Sequence, residues 1–148
     1  MKRILYFLFA LLAVTQATAC NDKDEKEQKD QMQLPPAAQK FVKAHFPSLT
    51  IKRVKKDNDN DGSLYEVTLS DNTTVDFDKN GDWTEVDCGR KAVPPTIVPG
   101  PISKYVKTAY PKQKIVQIDK QRKGYEIELS NDVDITFNAA YKVVRTEK

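Results

Sequence analysis

The stretch Tyr65-Glu66-Val67-Thr68-Leu69-Ser70 decides the fold, because it recurs as Tyr125-Glu126-Ile127-Glu128-Leu129-Ser130. A second pattern follows each copy, Val75-x-Phe77 in the first and Ile135-x-Phe137 in the second. Self-similarity at a fixed spacing is typical of a repeated supersecondary unit. The sequence therefore predicts one module written twice in tandem.

A helix is predicted at the start of each copy. The apolar residues there stand at the helical spacing i, i+3, i+4 and i+7, and Pro47 and Pro111 follow them. The residue before a proline is disfavoured in the α region, so each helix should end there after about three turns. The two apolar stripes are Ala38, Phe41, Val42 and His45 in the first copy, and Ile102, Tyr105, Val106 and Ala109 in the second.

Apolar and polar residues alternate after each helix, which is typical of antiparallel strands with one face on a core and one in water. Turn signals such as Lys79-Asn80-Gly81 separate the strands. In the first copy the strands are predicted near residues 50–56, 64–69, 73–78 and 82–87.

The predicted fold class is α+β, with two tandem repeats of a helix and four antiparallel strands and both helices packed on one face of the sheet. The first repeat spans 34–90, a proline-rich linker spans 91–101, and the second repeat spans 102–148. A linker with this many prolines is expected to be stiff and extended. Two arrangements remain open, one continuous eight-stranded sheet or two four-stranded sheets side by side.

The N-terminus predicts export. Lys2 and Arg3 precede an apolar run that ends before Ala17-Thr18-Ala19, which is the order of a signal peptide with its cleavage site. The run is shorter than the roughly 20 apolar residues of a membrane-spanning helix. Residues 1–19 are therefore predicted to be a removed signal peptide, and the protein to reside in the bacterial cell envelope, in the periplasm or at the outer membrane.

Cys20 follows the cleavage site directly, and small residues before a cysteine resemble the lipobox of bacterial lipoproteins. Residues 20–33 are charged and nearly without apolar side chains, so they are predicted to form a disordered tether. We expect a lipid anchor on Cys20. The alternative is cleavage without lipidation, which would leave Cys20 able to bond with Cys88, the other cysteine.

Composition argues against a nucleic-acid partner. Removal of residues 1–19 takes Lys2 and Arg3 from the 24 basic residues, which leaves 22 basic against 21 acidic residues. Binding to phosphates needs a concentrated basic face.

Residues suited to catalysis are few, and we expect neither an enzyme nor a cofactor. His45 is the single histidine and falls in the apolar stripe of a predicted helix, where a structural role is expected. No serine stands in a nucleophile-elbow pattern.

Two segments copy the first half of a calcium loop. They are Asp57-x-Asp59-x-Asp61-Gly62 and Asp76-x-Asp78-x-Asn80-Gly81. Both fall at strand connections rather than between helices, and the first has Thr68 where a calcium loop of the EF-hand type needs an acid. We interpret both as solvated turns and keep Asp57, Asp59 and Asp61 as weak metal candidates.

The water-facing side of the predicted sheet carries most of the remaining acidic residues. Such a face would steer a basic partner, although it is also what a merely soluble surface looks like. The parity of Trp83 with Glu85 favours the same side for that tryptophan, where it would be a candidate interface anchor. If it points inward instead, it is a core residue. The predicted partner-binding residues are Glu66, Asp76, Asp78, Trp83, Glu126, Glu128 and Asp134.

Four segments of the chain together carry a family resemblance, namely Leu34-Pro35, Phe46-Pro47, Tyr65-Glu66-Val67-x-Leu69 and Phe77-Asp78-x-x-Gly81-x-Trp83. They resemble the PepSY-like family of Bacteroidetes envelope proteins, which is described as similar in fold to the β-lactamase inhibitor protein. The second copy lacks the glycine turn and the tryptophan. The resemblance implies a fold and a compartment, and β-lactamase inhibition is not carried over from it.

The leading functional hypothesis is a non-catalytic envelope lipoprotein, held at the membrane by its lipid and presenting an acidic sheet face to a protein or peptide partner. One alternative is a calcium- or ligand-responsive envelope protein. Another is an inhibitor of an envelope hydrolase.

Overall fold

The structure, a computed structural model, describes residues 34–56 and 64–148. The described chain runs through a helix and four strands and then repeats that order. The elements are α1 (Pro36–His45), β1 (Ile51–Lys56), β2 (Tyr65–Leu69), β3 (Thr74–Phe77), β4 (Trp83–Asp87), α2 (Gly100–Ala109), β5 (Ile115–Gln121), β6 (Gly124–Leu129), β7 (Val133–Asn138) and β8 (Val143–Glu147).

All eight strands form one antiparallel sheet in the order of the sequence, from β1 at one edge to β8 at the other. The halves meet where β4 pairs with β5, with Val86 opposite Ile118 and Glu85 opposite Asp119. The structure therefore has the continuous sheet, and the fold is α+β with two helices and an open antiparallel sheet.

Neither helix has a side-chain cap, and each is 10 residues long. Isolated helices of this length are marginal in water, so packing has to stabilise them. Ala38 and Val42 of α1 and Ile102 and Val106 of α2 belong to one hydrophobic cluster with the buried strand residues. The rings of Phe41 and Phe77 meet edge to face at 5.6 Å, and those of Tyr105 and Phe137 at 5.5 Å.

The linker between the halves contributes to this core. Val93, Ile97 and Val98 are buried, and the Val93 N–H donates to the Ile115 carbonyl at 2.9 Å. The expectation of an extended linker is wrong, because the Ile97 N–H donates to the Pro94 carbonyl at 2.9 Å and closes a turn. Burial of these apolar side chains favours the folded-back path over an extended one.

Gly81 lets the turn between β3 and β4 approach α1. Its φ is +88°, and a Cβ built there would lie 2.9 Å from the Ala38 nitrogen and 2.9 Å from the Pro35 Cβ. Both the backbone conformation and the contact exclude a larger residue. This close approach holds the turn against the N-terminal end of α1.

We expect Gly81→Ala to destabilise the fold more than Gly89→Ala. Gly89 also has a positive φ, of +62°, but a Cβ there has nothing within 4 Å, so it should cost about 1 kcal/mol of left-handed strain. Overpacking at Gly81 should add about 1–3 kcal/mol. Urea denaturation of both variants measures the difference, and equal losses would contradict the close packing of the turn.

Candidate binding face

One face of the sheet carries the buried strand residues of the core cluster. The other face carries the polar side chains that alternate with them, and we call it the open face. Residues that lie directly opposite one another on neighbouring antiparallel strands share a face, with Cβ atoms about 4.5–5.5 Å apart. One such line crosses the whole sheet. It consists of Lys55, Glu66, Asp76, Glu85, Asp119, Glu126, Thr136 and Arg145.

Acidic residues occupy this line on β2 to β6, five of the six inner strands. We call Glu66, Asp76, Glu85, Asp119 and Glu126 the acidic row. Each carboxylate in the row lies directly opposite the next, although like charges in that position repel. The arrangement concentrates negative charge along the middle of the sheet.

A second line on the open face is mixed in character. It consists of Arg53, Thr68, Thr74, Asp87, Gln117, Glu128, Asp134 and Glu147. Asp87, Glu128 and Asp134 widen the negative region beside the acidic row.

Positive charge on these two lines lies on the edge strands. Arg53 of β1 is 3.5 Å from Glu66, and Arg145 of β8 is 3.4 Å from Glu126. Their side chains are 56% and 55% exposed, so each pair contributes about 1 kcal/mol or less. The ion pairs therefore relieve repulsion at the two ends of the acidic row. Toward the centre, the Gln117 side-chain amide donates to Glu85 at 2.7 Å.

The pKa of the Glu128 carboxyl is raised in the folded chain. Partial burial raises the pKa of its carboxyl, and the charges of Asp134, Asp132 and Asp87 raise it further. A raised pKa means that ionisation of this carboxyl is less favourable in the folded chain than in the unfolded chain.

The structure places Glu66, Asp76, Glu126, Glu128 and Asp134 on the open face, where the alternation of the strands predicted them. Their role in partner binding stays a prediction. Asp78 lies just beyond the end of β3, and its role in partner binding likewise stays a prediction. Its carboxylate accepts the Asn80 N–H at 2.8 Å and the Asp82 N–H at 3.0 Å, so it holds the turn after β3.

Trp83 lies on the opposite side from the open face, so its assignment to that face by parity is wrong. A bulge at Asp76/Phe77 sets Trp83 opposite the buried Phe77, while Glu85 stays opposite Asp76. The indole packs near the ring of Phe41 on α1, at 6.2 Å, and the Lys120 ammonium lies 3.9 Å from its centroid. A bulge adds one residue and reverses the parity beyond it.

The list of residues predicted to bind a partner left out Glu85, Asp87 and Asp119, which the structure also places on the open face. The signal was present, because both Glu85-Val86-Asp87 and Gln117-Ile118-Asp119 alternate polar and apolar residues. The sequence did not determine whether β4 pairs with β5. That pairing joins the acidic residues of the two halves.

His45 and Cys88 have structural surroundings in the described part of the chain. His45 accepts or donates a hydrogen bond at 2.9 Å to the Thr96 hydroxyl in the linker and packs on Phe41. Burial raises the pKa of the Cys88 thiol to about 11, which disfavours the reactive thiolate. Residues 34–56 and 64–148 hold no group of three histidine, cysteine or acidic side chains able to bind a metal.

Several predictions concern other parts of the chain. The signal peptide, the tether, the lipidation of Cys20 and the metal candidates Asp57, Asp59 and Asp61 all lie outside the described residues. Among the helices of the described ranges, none is long and apolar enough to cross a membrane.

The chain matches the family described as "Putative beta-lactamase-inhibitor-like, PepSY-like" over residues 22–64 and 63–145. A solved "putative calcium-regulated periplasmic protein" from Bacteroides thetaiotaomicron is 37% identical with a TM-score of 0.75, and the match covers 79% of this chain and 92% of that one. No curated protein matches the chain.

Two solved proteins from Bacteroides vulgatus are also similar. A "putative periplasmic protein" is 38% identical with a TM-score of 0.73, over 79% of this chain and 92% of that one. A "putative periplasmic protein of unknown function" is 34% identical with a TM-score of 0.75, over 79% of this chain and 94% of that one. The similarity thus extends over nearly the full length of each solved chain.

We expect Glu128→Gln and Asp71→Asn to change stability in opposite directions at neutral pH. The pKa of Glu128 is raised above 4.5 in the folded chain. The contribution of this group to the free energy of unfolding is therefore lost as pH rises through its folded pKa. The glutamine should therefore stabilise the fold at pH 7 by a few tenths to about 1 kcal/mol, with little effect near about pH 3.

Asp71 is the matched control. Burial raises its pKa, but hydrogen bonds from Lys91 and Thr73 outweigh burial and lower the pKa below 3.8, so its stabilisation is lost as pH falls through the folded value. Asp71→Asn keeps an oxygen for the Thr73 N–H and should cost up to about 1 kcal/mol at pH 7. Urea denaturation at both pH values gives the signs. A loss of stability in Glu128→Gln at pH 7 would contradict repulsion on the open face.

Proposed function

This chain belongs to the beta-lactamase-inhibitor-like, PepSY-like family, and from that premise we propose that it is a non-catalytic envelope lipoprotein that presents its open face to a basic protein or peptide. The observation that carries the proposal is the acidic row, five carboxylates placed directly opposite one another across β2 to β6. Carboxylates set side by side in this way destabilise a sheet. A partner that brings positive charge would relieve that repulsion and gain affinity from it.

The shape of the face suits an extended or flat partner. Both helices bury their apolar residues in the core cluster with the inward strand residues. The acidic row crosses the strands, so a partner lying along it would meet one carboxylate for each strand spacing of about 4.8 Å. Lysine and arginine side chains on a flexible peptide can match such a spacing. Electrostatic attraction of this kind chiefly raises the association rate and falls with salt.

The proposed localisation in the cell envelope rests on the N-terminal sequence and on the relatives. Residues 1–19 have the order of a signal peptide, and three solved relatives are described as periplasmic proteins. We propose that Cys20 carries lipid and that residues 20–33 tether the domain to a membrane. Several acyl chains together would give a stable anchor, where a single chain binds only marginally.

We also infer that residues 34–90 and 102–148 are tandem copies of one unit joined by residues 91–101. The motifs repeat in sequence, and the elements repeat in the same order in the structure. The turns after β3 and β7 are built alike, since Asn138 accepts the N–H groups of Ala140 and Lys142 as Asp78 accepts those of Asn80 and Asp82.

A second candidate function is a response to calcium. One relative is described as a "putative calcium-regulated periplasmic protein", and the acidic segment 57–62 copies the first half of a calcium loop. Asp78 of the other candidate loop uses its carboxylate for the turn. Calcium would therefore act through Asp57, Asp59 and Asp61.

Neutralising the centre of the acidic row tests the main proposal. We expect the full chain to bind a lysine-rich extended peptide at low salt, and the combined variant Asp76→Asn, Glu85→Gln, Asp119→Asn to bind it about tenfold or more weakly, since each charge contributes a few tenths of a kcal/mol or more. Fluorescence anisotropy of a labelled peptide at two salt concentrations measures the affinity and its salt dependence.

The matched control is Asp22→Asn, Asp24→Asn, Asp30→Asn, which changes the net charge equally in the segment before the domain. It should bind the peptide nearly as well as the unmodified chain. Equal losses in both variants would mean that net charge alone attracts the peptide, and the proposal would be wrong.

Calorimetric titration with calcium chloride tests the second candidate. The calcium-response hypothesis predicts heat of binding with a dissociation constant of about 0.1–1 mM, as in extracellular calcium modules. It also predicts loss of that heat in Asp59→Asn, Asp61→Asn but not in the acidic-row variant, with magnesium chloride as the ion control. No heat and an unchanged melting temperature would reject the candidate.

A further inference from the structure

The two edge strands of the sheet differ in how they would meet another chain. An edge strand presents unpaired backbone N–H and C=O groups that can pair with a further strand. Four of the six residues of β1 are basic, namely Lys52, Arg53, Lys55 and Lys56. Charge of one sign along an edge is a common protection against edge-to-edge pairing. β8 has no such protection, because Arg145 and Glu147 are its charged residues and their charges cancel.

Exposed apolar side chains collect at the β8 edge. In the described part of the chain the exposed large hydrophobic residues are Tyr141, Val143 and Val144, and Val144 is 60% exposed. All three lie in β8 or directly before it. A contiguous exposed apolar patch is typical of an interaction site. Within residues 34–56 and 64–148 no strand pairs with the outer edge of β8, and the apolar patch lies along that edge. These are two independent reasons to expect a partner there.

Charge and symmetry decide between the possible edge pairings with a second copy. Two β1 edges would repel each other. Pairing of β1 with β8 of a second copy would leave a free edge at each end and add further copies without closing. Pairing of β8 with β8 uses the same edge on both copies, so a two-fold axis closes the assembly.

The register of a β8 pair follows from its charged residues. Arg145 lies opposite Thr136 and Glu147 opposite Asp134, so both side chains are on the open face. An antiparallel pair centred on Thr146 sets Arg145 opposite Glu147 of the second copy, twice by symmetry. A pair centred on Arg145 would instead set the two guanidinium groups against each other. Of these two registers, the one centred on Thr146 makes the strand self-complementary in charge.

We propose that β8 is a homodimer interface in which two copies of this chain pair antiparallel about Thr146 and fuse their sheets into one. The pair of Arg145 with Glu147 of the second copy forms on the open face, and the apolar patches of both copies lie beside the joint. The fused sheet carries an acidic row on each side of the two-fold axis. A dimer of this kind would present the same face twice to one partner.

Disulfide trapping in the full chain tests the register. Thr146→Cys should form a covalent dimer on mild oxidation, because directly opposite residues of an antiparallel pair have Cα separations of about 4.5–5.5 Å, within disulfide range. Val144→Cys is the matched control, since the same register sets the two copies of residue 144 four positions apart along the pair. The unmodified chain, with Cys20 and Cys88, gives the background. Trapping of both variants alike, or of neither, overturns the proposed register.

A charge exchange tests the interface without a new cysteine. In sedimentation of the full chain in mild detergent, Arg145→Glu and Glu147→Arg should each raise the dimer dissociation constant about tenfold, because each sets like charges opposite twice. The double variant restores opposite charges and should return within about threefold of the unmodified chain. Thermal melting of each variant checks that the monomer stays folded.

Two results would overturn the proposal. One is a monomer at about 0.1 mM chain concentration, well above the micromolar range of weak specific dimers. The other is a monomer whose β8 amides are protected from hydrogen exchange, which would assign the edge to another segment of the same chain.

Discussion

The pairing of β4 with β5 is the contact on which the rest of the molecule depends. Val86 and Ile118, both fully buried, lie opposite each other at its centre. The hydrogen bonds continue beyond the strands, since the Cys88 N–H donates to the Val116 carbonyl and the Val93 N–H to the Ile115 carbonyl, both at 2.9 Å. Without this pairing the chain would have two short sheets with four edges. With it, the two helices share one core and the acidic residues form one row.

That row costs stability, and the core offsets the cost. Directly opposed like charges destabilise a sheet by about 0.2–1 kcal/mol per pair. A fully buried residue such as Phe77 or Ile135 contributes about 1.5–3 kcal/mol. A handful of core residues is therefore sufficient to hold the carboxylates in place, and threonine or glutamine at the same positions would avoid the repulsion. Opposed like charges on an otherwise regular sheet break a local rule of sheet stability, and proteins that break such rules commonly do so at functional sites.

Local patterns of apolar and polar residues predicted the helices and strands well. They did not predict most contacts between those elements. The alternation through Tyr65 to Leu69 and the helical spacing of Ala38 and Val42 correspond to β2 and α1 almost residue by residue. The bulge that turns Trp83 toward α1 cannot be recognised from the alternation of apolar and polar residues, because Trp83 and Glu85 keep the same parity in sequence. The role of Asp78 in its turn and the pairing of β4 with β5 likewise depend on hydrogen bonds that a polarity pattern does not encode. Those contacts determine the composition of the open face.

The turn after the third strand of each half has different surroundings in the two halves. Gly81 and Tyr141 occupy equivalent positions, and both have positive φ, of 88° and 57°. In the first half the glycine allows the turn to approach Pro35 and Ala38, so Gly81 is buried against α1 while its neighbours Asn80 and Asp82 are exposed. A tyrosine cannot pack in that way, and Tyr141 instead stacks on Tyr125 at 5.8 Å with its side chain partly in water. A bulky residue in this backbone region costs about 1–3 kcal/mol. Together with the exposed side chains of Val143 and Val144, Tyr141 gives the described chain apolar surface at the β8 end of the sheet, where the strand charges do not repel a second copy.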